Sequence, residues 1–209
     1  MTASLAIEPC EVHVWRVDLS GWSGPFDELD GEERARVARF RWEEARRRWA
    51  ASHAILRRIL EGYTAVPAAA LSFSRGEFGK PYLAGSPVHF NMSDSGDRAL
   101  YAVTLYAEIG VDVERVREID GAGISRRFLP ASEAAAVRDD PAAFFHVWTR
   151  REAYLKCIGV GLRRINAAVE QGYSFADVEA AAGYAGAVVW EGAARRVVVR
   201  DFPEDQKTR

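Results

Sequence analysis

The chain has 209 residues, of which 48% are apolar, 11% aromatic and 28% charged, with a formal net charge of −2. That length suffices for one large core or two small ones, and the aromatic content and charge balance exclude a disordered chain. Binding through bulk positive charge is excluded, so any phosphate site must be local.

The first eight residues lack a basic segment followed by a long apolar one, so they do not read as a signal peptide. The opening stretch Glu11–Val17 alternates polar and apolar residues and reads as a strand. Asp30 caps a predicted helix from Gly31 to Glu61, with Glu32 and Glu33 in its first turn. Val37, Phe40, Trp49, His53, Leu56 and Leu60 form its apolar stripe. Pro67 opens a short helical turn over 68–71. Strands are predicted at Leu71–Ser74, Pro87–Met92, Ala99–Tyr106 and Ile109–Glu114, separated by turns at Gly79-Lys80-Pro81, Gly85-Ser86-Pro87 and Ser95-Gly96-Asp97. Ile119–Val137 reads as helix broken near Pro130, and Pro141–Ile158 as one helix stopped by Gly159 and Gly161. Strands Tyr173–Phe175, Gly183–Trp190 and Arg196–Phe202 close the chain. The longest apolar run, Ala180–Trp190, has eleven residues, short of the ~20 of a membrane span. Cys10 and Cys157 have no ligand spacing, which argues against a disulfide scaffold or zinc site and for a reducing, cytoplasmic setting.

Helices and strands segregate into two similar halves, so the expected class is α+β, two α/β halves related by a pseudo-twofold, divided into 1–105 and 106–209. Each half carries a Trp-led, Arg-rich helix.

Only three of the 28 basic residues are Lys, namely Lys80, Lys156 and Lys207; the rest are Arg. A Lys in such a chain reads as wanted for its compact ammonium. In Gly110-Val111-Asp112-Val113-Glu114 the alternation of a strand projects Asp112 and Glu114 from one face. Two such carboxylates suit a hard cation such as Mg²⁺, or form a solvated edge neutralised by Arg115 or Arg117. Trp148, Glu152 and Lys156, spaced i, i+4, i+8, share one helix face. They read either as a surface Glu–Lys pair or as a third carboxylate with a phosphate-directed Lys. Phe90–Asp97 reads as an apolar strand ending in a polar turn able to present donors to an anion.

The order of these features resembles the 4′-phosphopantetheinyl transferases: a Gly-Lys-Pro turn, Asn-Met-Ser-x-Ser-Gly, Gly-Val-Asp-Val-Glu, then Trp-x-x-(basic)-Glu-Ala-x-x-Lys followed by Gly-x-Gly-Leu. The likeness is to the type with two tandem halves and runs from the first helix to Gly183–Val188. It implies a monomeric enzyme that moves the phosphopantetheine arm of coenzyme A to a serine of an apo acyl or peptidyl carrier protein, leaving adenosine 3′,5′-bisphosphate. It implies Mg²⁺, with Mn²⁺ an alternative, held by Asp112, Glu114 and Glu152. Glu152 becomes the general base and Lys156 the group that meets charge on the leaving phosphate. Lys80, Ser93, Asp94, Arg36 and Arg48 become coenzyme A contacts. Two positions depart from the pattern: Asp94 stands where His is usual, with either Arg98 or His89 expected to offset it or the 3′-phosphate of coenzyme A expected to be held mainly by the first helix, and Arg151 where Lys is usual. Rival readings are a Mg²⁺-dependent phosphohydrolase, an inactive family member, and a nucleic-acid module on the Arg-rich helix; the composition argues against the last. Neither nucleic acid nor membrane is an expected partner.

Overall fold

The computed structural model describes residues 5–22, 26–137, 140–161, 165 and 169–203. Lys207 and Leu162 of the Gly-x-Gly-Leu stretch lie outside them. The elements are β1 (Glu11–Asp18), α1 (Gly31–Val37), α2 (Glu43–Thr64), β2 (Ser74–Arg75), β3 (Pro81–Tyr82), β4 (Val88–Ser95), β5 (Arg98–Leu105), β6 (Ile109–Arg115), α3 (Gly121–Phe128), α4 (Ala131–Ala134), α5 (Pro141–Ile158), β7 (Tyr173–Asp177), β8 (Tyr184–Glu191) and β9 (Arg196–Asp201).

Two main sheets stack. The first has strand order β4-β5-β1-β9 and the second β6-β8-β7. One face of β1 and β5 (Trp15, Val17, Tyr101, Val103) packs on Ala51, Ile55 and Ile59 of α2. Their other face (Val12, Val14, Leu100, Ala102) packs on Ile109, Val111, Val113 and Val188 of the second sheet. The far face of the second sheet receives Ala153, Tyr154, Leu155 and Cys157 of α5 against Ala187 and Val189. Each half thus lays one long helix on an antiparallel sheet, within an α+β fold. β9, however, runs parallel to β1 in the first sheet, Val199 opposite Val14, so the last strand of the segment 106–209 sits in the sheet of the first half.

The predicted helix Gly31–Glu61 is two helices. Asp30 caps α1 with a reciprocal capping box: its side chain accepts from Glu33 N–H, and the Glu33 side chain accepts from Asp30 N–H. Those same two carboxylates meet the fully buried guanidinium of Arg57 on α2, at 2.5 and 2.7 Å. α1 must therefore fold back along α2, and the chain turns through extended Trp42. Arg57 also donates to the carbonyls of Ala68 and Leu71. With its carbonyl claimed there, Leu71 does not join the predicted strand, which begins only at Ser74.

β4 likewise exceeds its predicted end. It runs through Asp94 to Ser95, paired with β5 to Arg98, so the polar stretch after Phe90 is strand and only Gly96-Asp97 turns. The break at Pro130 and the helix Pro141–Ile158 match the sequence reading: Asp140 caps α5 by accepting from Ala142 N–H, and Gly159 ends it at φ 72°. Among the described residues no helix is long and apolar enough to cross a membrane.

Candidate active site at the seam between the halves

β4 is one edge of the first sheet and β6 one edge of the second, and the two edges meet under α5. Alternation along β4 sends Val88 and Phe90 into the α2 core and Asn91, Ser93 and Ser95 the other way, toward β6. The carboxamide oxygen of Asn91 accepts from the Val111 N–H at 3.0 Å. The Ser93 hydroxyl donates to Asp112 Oδ1 at 2.7 Å, and the Ser95 hydroxyl to Glu114 Oε2 at 2.9 Å. Three alternate residues of one edge strand thereby hold the other, Asn91 by its backbone and Ser93 and Ser95 by its two carboxylates.

Gly110 sets the distance to α5. A Cβ there would stand 2.0 Å from the Ala153 carbonyl oxygen and 2.4 Å from the Cys157 nitrogen, so only glycine lets β6 touch the helix backbone. That contact brings the Trp148–Glu152–Lys156 face over Asp112. Lys156 Nζ stands 2.6 Å from Asp112 Oδ1 and 2.8 Å from Ser93 Oγ. Trp148, one turn before Glu152, favours its ionised form, and is itself held by stacking on Phe144 at 5.5 Å.

The site has an excess of negative charge. Asp112 is 2% exposed, and its Oδ2 is buried without a hydrogen-bond partner. Burial raises its pKa, opposed by the charge and hydrogen bond of Lys156. Glu152 is pushed up to about 7, by burial first and then by the charge of Asp112, with Glu114 adding to the effect and Lys156 opposing it. Glu114 is also approached by Arg117 at 3.4 Å. Among the described residues no three His, Cys, Asp or Glu side chains are gathered closely enough to hold a metal ion as they stand. The Lys156 ammonium sits against Asp112 instead. Even so, the donor chemistry fits a hard divalent cation: carboxylates, among them Asp112 with an orphaned buried oxygen and Glu152, whose ionisation is opposed by burial and by the neighbouring acids.

The remaining expected contacts lie apart from one another. Arg36 lines an open groove of about 750 Å³ with Arg39, Phe40, Trp49 and Arg75, its guanidinium 5.2 Å above the Trp49 ring. Arg48 is elsewhere on α2, paired with Glu44 at 2.7 Å and facing Asp97 at 3.5 Å. Asp94 is exposed and continues the α2-facing side of β4. Desolvation by its neighbours raises its pKa, and the charges of Lys156 and Arg48 work against that. Arg98 and His89 do not offset it as expected, because Arg98 pairs with Asp18 at 2.8 Å and His89 with Glu108 at 3.1 Å. Ser93 spends its proton on Asp112, and all three protons of Lys80 have protein acceptors. Neither side chain has a free donor for a phosphate in this arrangement. Arg151 is 1% exposed and points away from the site, its Nε donating to Glu133 at 2.9 Å; a two-pronged guanidinium suits that carboxylate better than an ammonium.

The sequence reading missed the parts played by Asn91 and Ser95 and the steric role of Gly110. The period-two spacing of Asn91, Ser93 and Ser95 was the available signal.

Two family models match the chain. Residues 13–105 match "4′-phosphopantetheinyl transferase, N-terminal" and residues 108–198 the "4′-phosphopantetheinyl transferase superfamily". The chain is 37% identical over 169 residues to the 4′-phosphopantetheinyl transferase HetI of Nostoc, covering 74% of this chain and 71% of that protein. It is 36% identical over 137 residues to the 4′-phosphopantetheinyl transferase psf-1 of Bacillus pumilus, covering 63% and 58%. With the 4′-phosphopantetheinyl transferase Sfp of Bacillus subtilis it shares 29% over 140 residues, covering 64% and 62%.

Proposed function

The chain belongs to the 4′-phosphopantetheinyl transferase superfamily and is an enzyme of that class, and from that premise we propose that it moves the phosphopantetheine arm of coenzyme A to a serine hydroxyl of an apo carrier protein. The observation that carries the proposal is the meeting of Asp112, Glu114, Glu152 and Lys156 where the two matched segments join.

A serine hydroxyl is a weak nucleophile until a base takes its proton. Glu152 suits that task. With a pKa of about 7 it is ionised in half the molecules at neutrality, and it binds a proton far more tightly than an ordinary carboxylate. The serine oxygen forms a bond to the phosphorus that bears pantetheine. The bond from that phosphorus to the bridging oxygen breaks, and adenosine 3′,5′-bisphosphate leaves with the electron pair. The proton ends on Glu152. Lys156 shares its ammonium between Asp112 and Ser93 and is placed to turn toward the leaving phosphate. Phosphoryl transfer asks a protein chiefly for such positioning and charge stabilisation. Mg²⁺, which Asp112, Glu114 and Glu152 would hold, supplies neutralisation of the pyrophosphate when bound. On this reading the Arg36, Arg39 and Arg75 guanidiniums around Trp49 suit an anionic purine nucleotide, and Arg48 and Asp94 form a second rim.

The test is incubation with coenzyme A, Mg²⁺ and a panel of apo carrier proteins, read by intact mass. A carrier heavier by one phosphopantetheine supports the proposal. Release of phosphate or free phosphopantetheine without any modified carrier would favour a hydrolase instead. Glu152→Gln abolishes transfer if the base is assigned correctly.

A further inference from the structure

Both lysines of the described fold cross the seam, in opposite directions. Lys156 reaches from α5 back to Ser93 on β4. Lys80 reaches forward from the turn before β3. Its ammonium lies 2.5 Å from Glu108 Oε2, 3.0 Å from the Ile109 carbonyl oxygen and 2.8 Å from the Cys157 carbonyl oxygen. An ammonium has three donors, and here each has an acceptor.

The acceptors are informative in their placement. Ile109 opens β6, immediately before the Gly110 that touches α5. Cys157 lies in the last turn of α5, whose carbonyls have no partner within the helix and attract cations. The aliphatic stem of Lys80 packs where the helix ends, its Cδ 3.5 Å from where a Cβ on Gly159 would stand. Glu108 is steadied from its other oxygen by His89 Nδ1 at 3.1 Å. One nitrogen from the first half thus fixes the start of β6 against the end of α5. Asp112 is three residues along the one element and Lys156 is the neighbour of Cys157 on the other.

We propose that Lys80 is a positioning residue for the transfer reaction, holding β6 and α5 in the register that sets Asp112 opposite Glu152 and Lys156, and that it does not bind a coenzyme A phosphate. The inference rests on the proposed function. It also accounts for the use of Lys in a chain that otherwise prefers Arg. Three acceptors converge on one point, which a compact ammonium satisfies and a planar guanidinium, with donors spread over three nitrogens, does not.

The experiment compares wild type, Lys80→Met, Lys80→Arg and Glu108→Gln in steady-state transfer from coenzyme A to an apo carrier, with coenzyme A affinity measured separately by calorimetry. A misplaced catalytic group costs about 10- to 100-fold. Lys80→Met is expected to lose that much kcat while the coenzyme A KM and Kd stay within about twofold, and Lys80→Arg not to recover it. Glu108→Gln, which keeps the side-chain shape, is expected to lose kcat in the same sense, and it decides the matter if Lys80→Met does not fold. A raised KM with kcat retained, restored by Arg, would make Lys80 a phosphate ligand and overturn the proposal. So would unchanged kinetics in a variant whose only change is a lower Tm. A wild-type chain that modifies no carrier sinks the functional reading itself, a result distinct from either.

Discussion

Glu152 sits in a site that resists its ionisation, and removing its charge therefore stabilises the fold. Its pKa rises from 4.5 to about 7 on folding. The folded state then holds a proton that the unfolded state has released, so stability falls as pH rises from about 4.5 and the loss levels off above about 7. At 1.36 kcal/mol per pKa unit the full penalty is about 3 kcal/mol at pH 8, and less than about 1 kcal/mol at pH 5. Glu152→Gln resembles the protonated form at every pH. The metal-free variant is expected to melt above the wild type by roughly 6–12 °C at pH 8, given 2–4 °C per kcal/mol for a chain of this size, and by much less at pH 5. Scanning calorimetry with a chelator present measures this directly. Saturating Mg²⁺ should narrow the gap at pH 8, because only the wild type gains a ligand for its ionised carboxylate. A melting difference that does not depend on pH, or a variant less stable than the wild type at pH 8, refutes the account of the site as short of positive charge.

Three further outcomes follow from the same geometry. Gly110→Ala forces a Cβ into the Ala153 carbonyl at 2.0 Å; separation of β6 from α5 should cost at least the 1–3 kcal/mol of ordinary overpacking, read by urea unfolding, with kcat reduced even where the protein is folded. Arg57→Met leaves Glu33, itself buried, without its cation and should cost about 3–5 kcal/mol, while transfer by the folded fraction, measured well below the midpoint, is unchanged. Asp94→His removes a carboxylate near Arg48 and Lys156 and should lower the KM for coenzyme A but not for its 3′-dephospho analogue; equal effects on both would place Asp94 away from the 3′-phosphate.

What the sequence disclosed was what depends on near neighbours. The cap at Asp30, the stop at Gly159, the break at Pro130 and the shared face of Asp112 and Glu114 all follow from a few consecutive residues and a period of 2 or 3.6. The single long helix drawn over Gly31–Glu61 went wrong because of Arg57, 24 positions beyond Glu33 and 27 beyond Asp30. Arg57 needs both Asp30 and Glu33, and no local pattern announces a demand of that range. Lys80 illustrates the same limit. Its rarity marked it as significant, but whether an ammonium meets a phosphate or two backbone carbonyls depends on which elements the fold sets beside it.

The stretch Asn91-Met92-Ser93-Asp94-Ser95 shows how one strand serves two sides of the site. Read as a turn, its polar side chains would all face one bound anion. As a strand they cannot, because neighbours point to opposite faces. Asn91, Ser93 and Ser95 face β6 and are committed to Val111, Asp112 and Glu114. Asp94 faces α2, where Arg48 lies. The residue that departs from the family pattern is thus on the side away from the carboxylates, and of the three that agree with it Ser93 and Ser95 hold them while Asn91 holds the β6 backbone. On the proposed function, a substitution at Asp94 alters how coenzyme A is received along α2 without moving the acids of β6, whereas a change at Ser93 or Ser95 removes a hydrogen bond to a carboxylate directly. Backbone alternation keeps the two tasks separable within five residues.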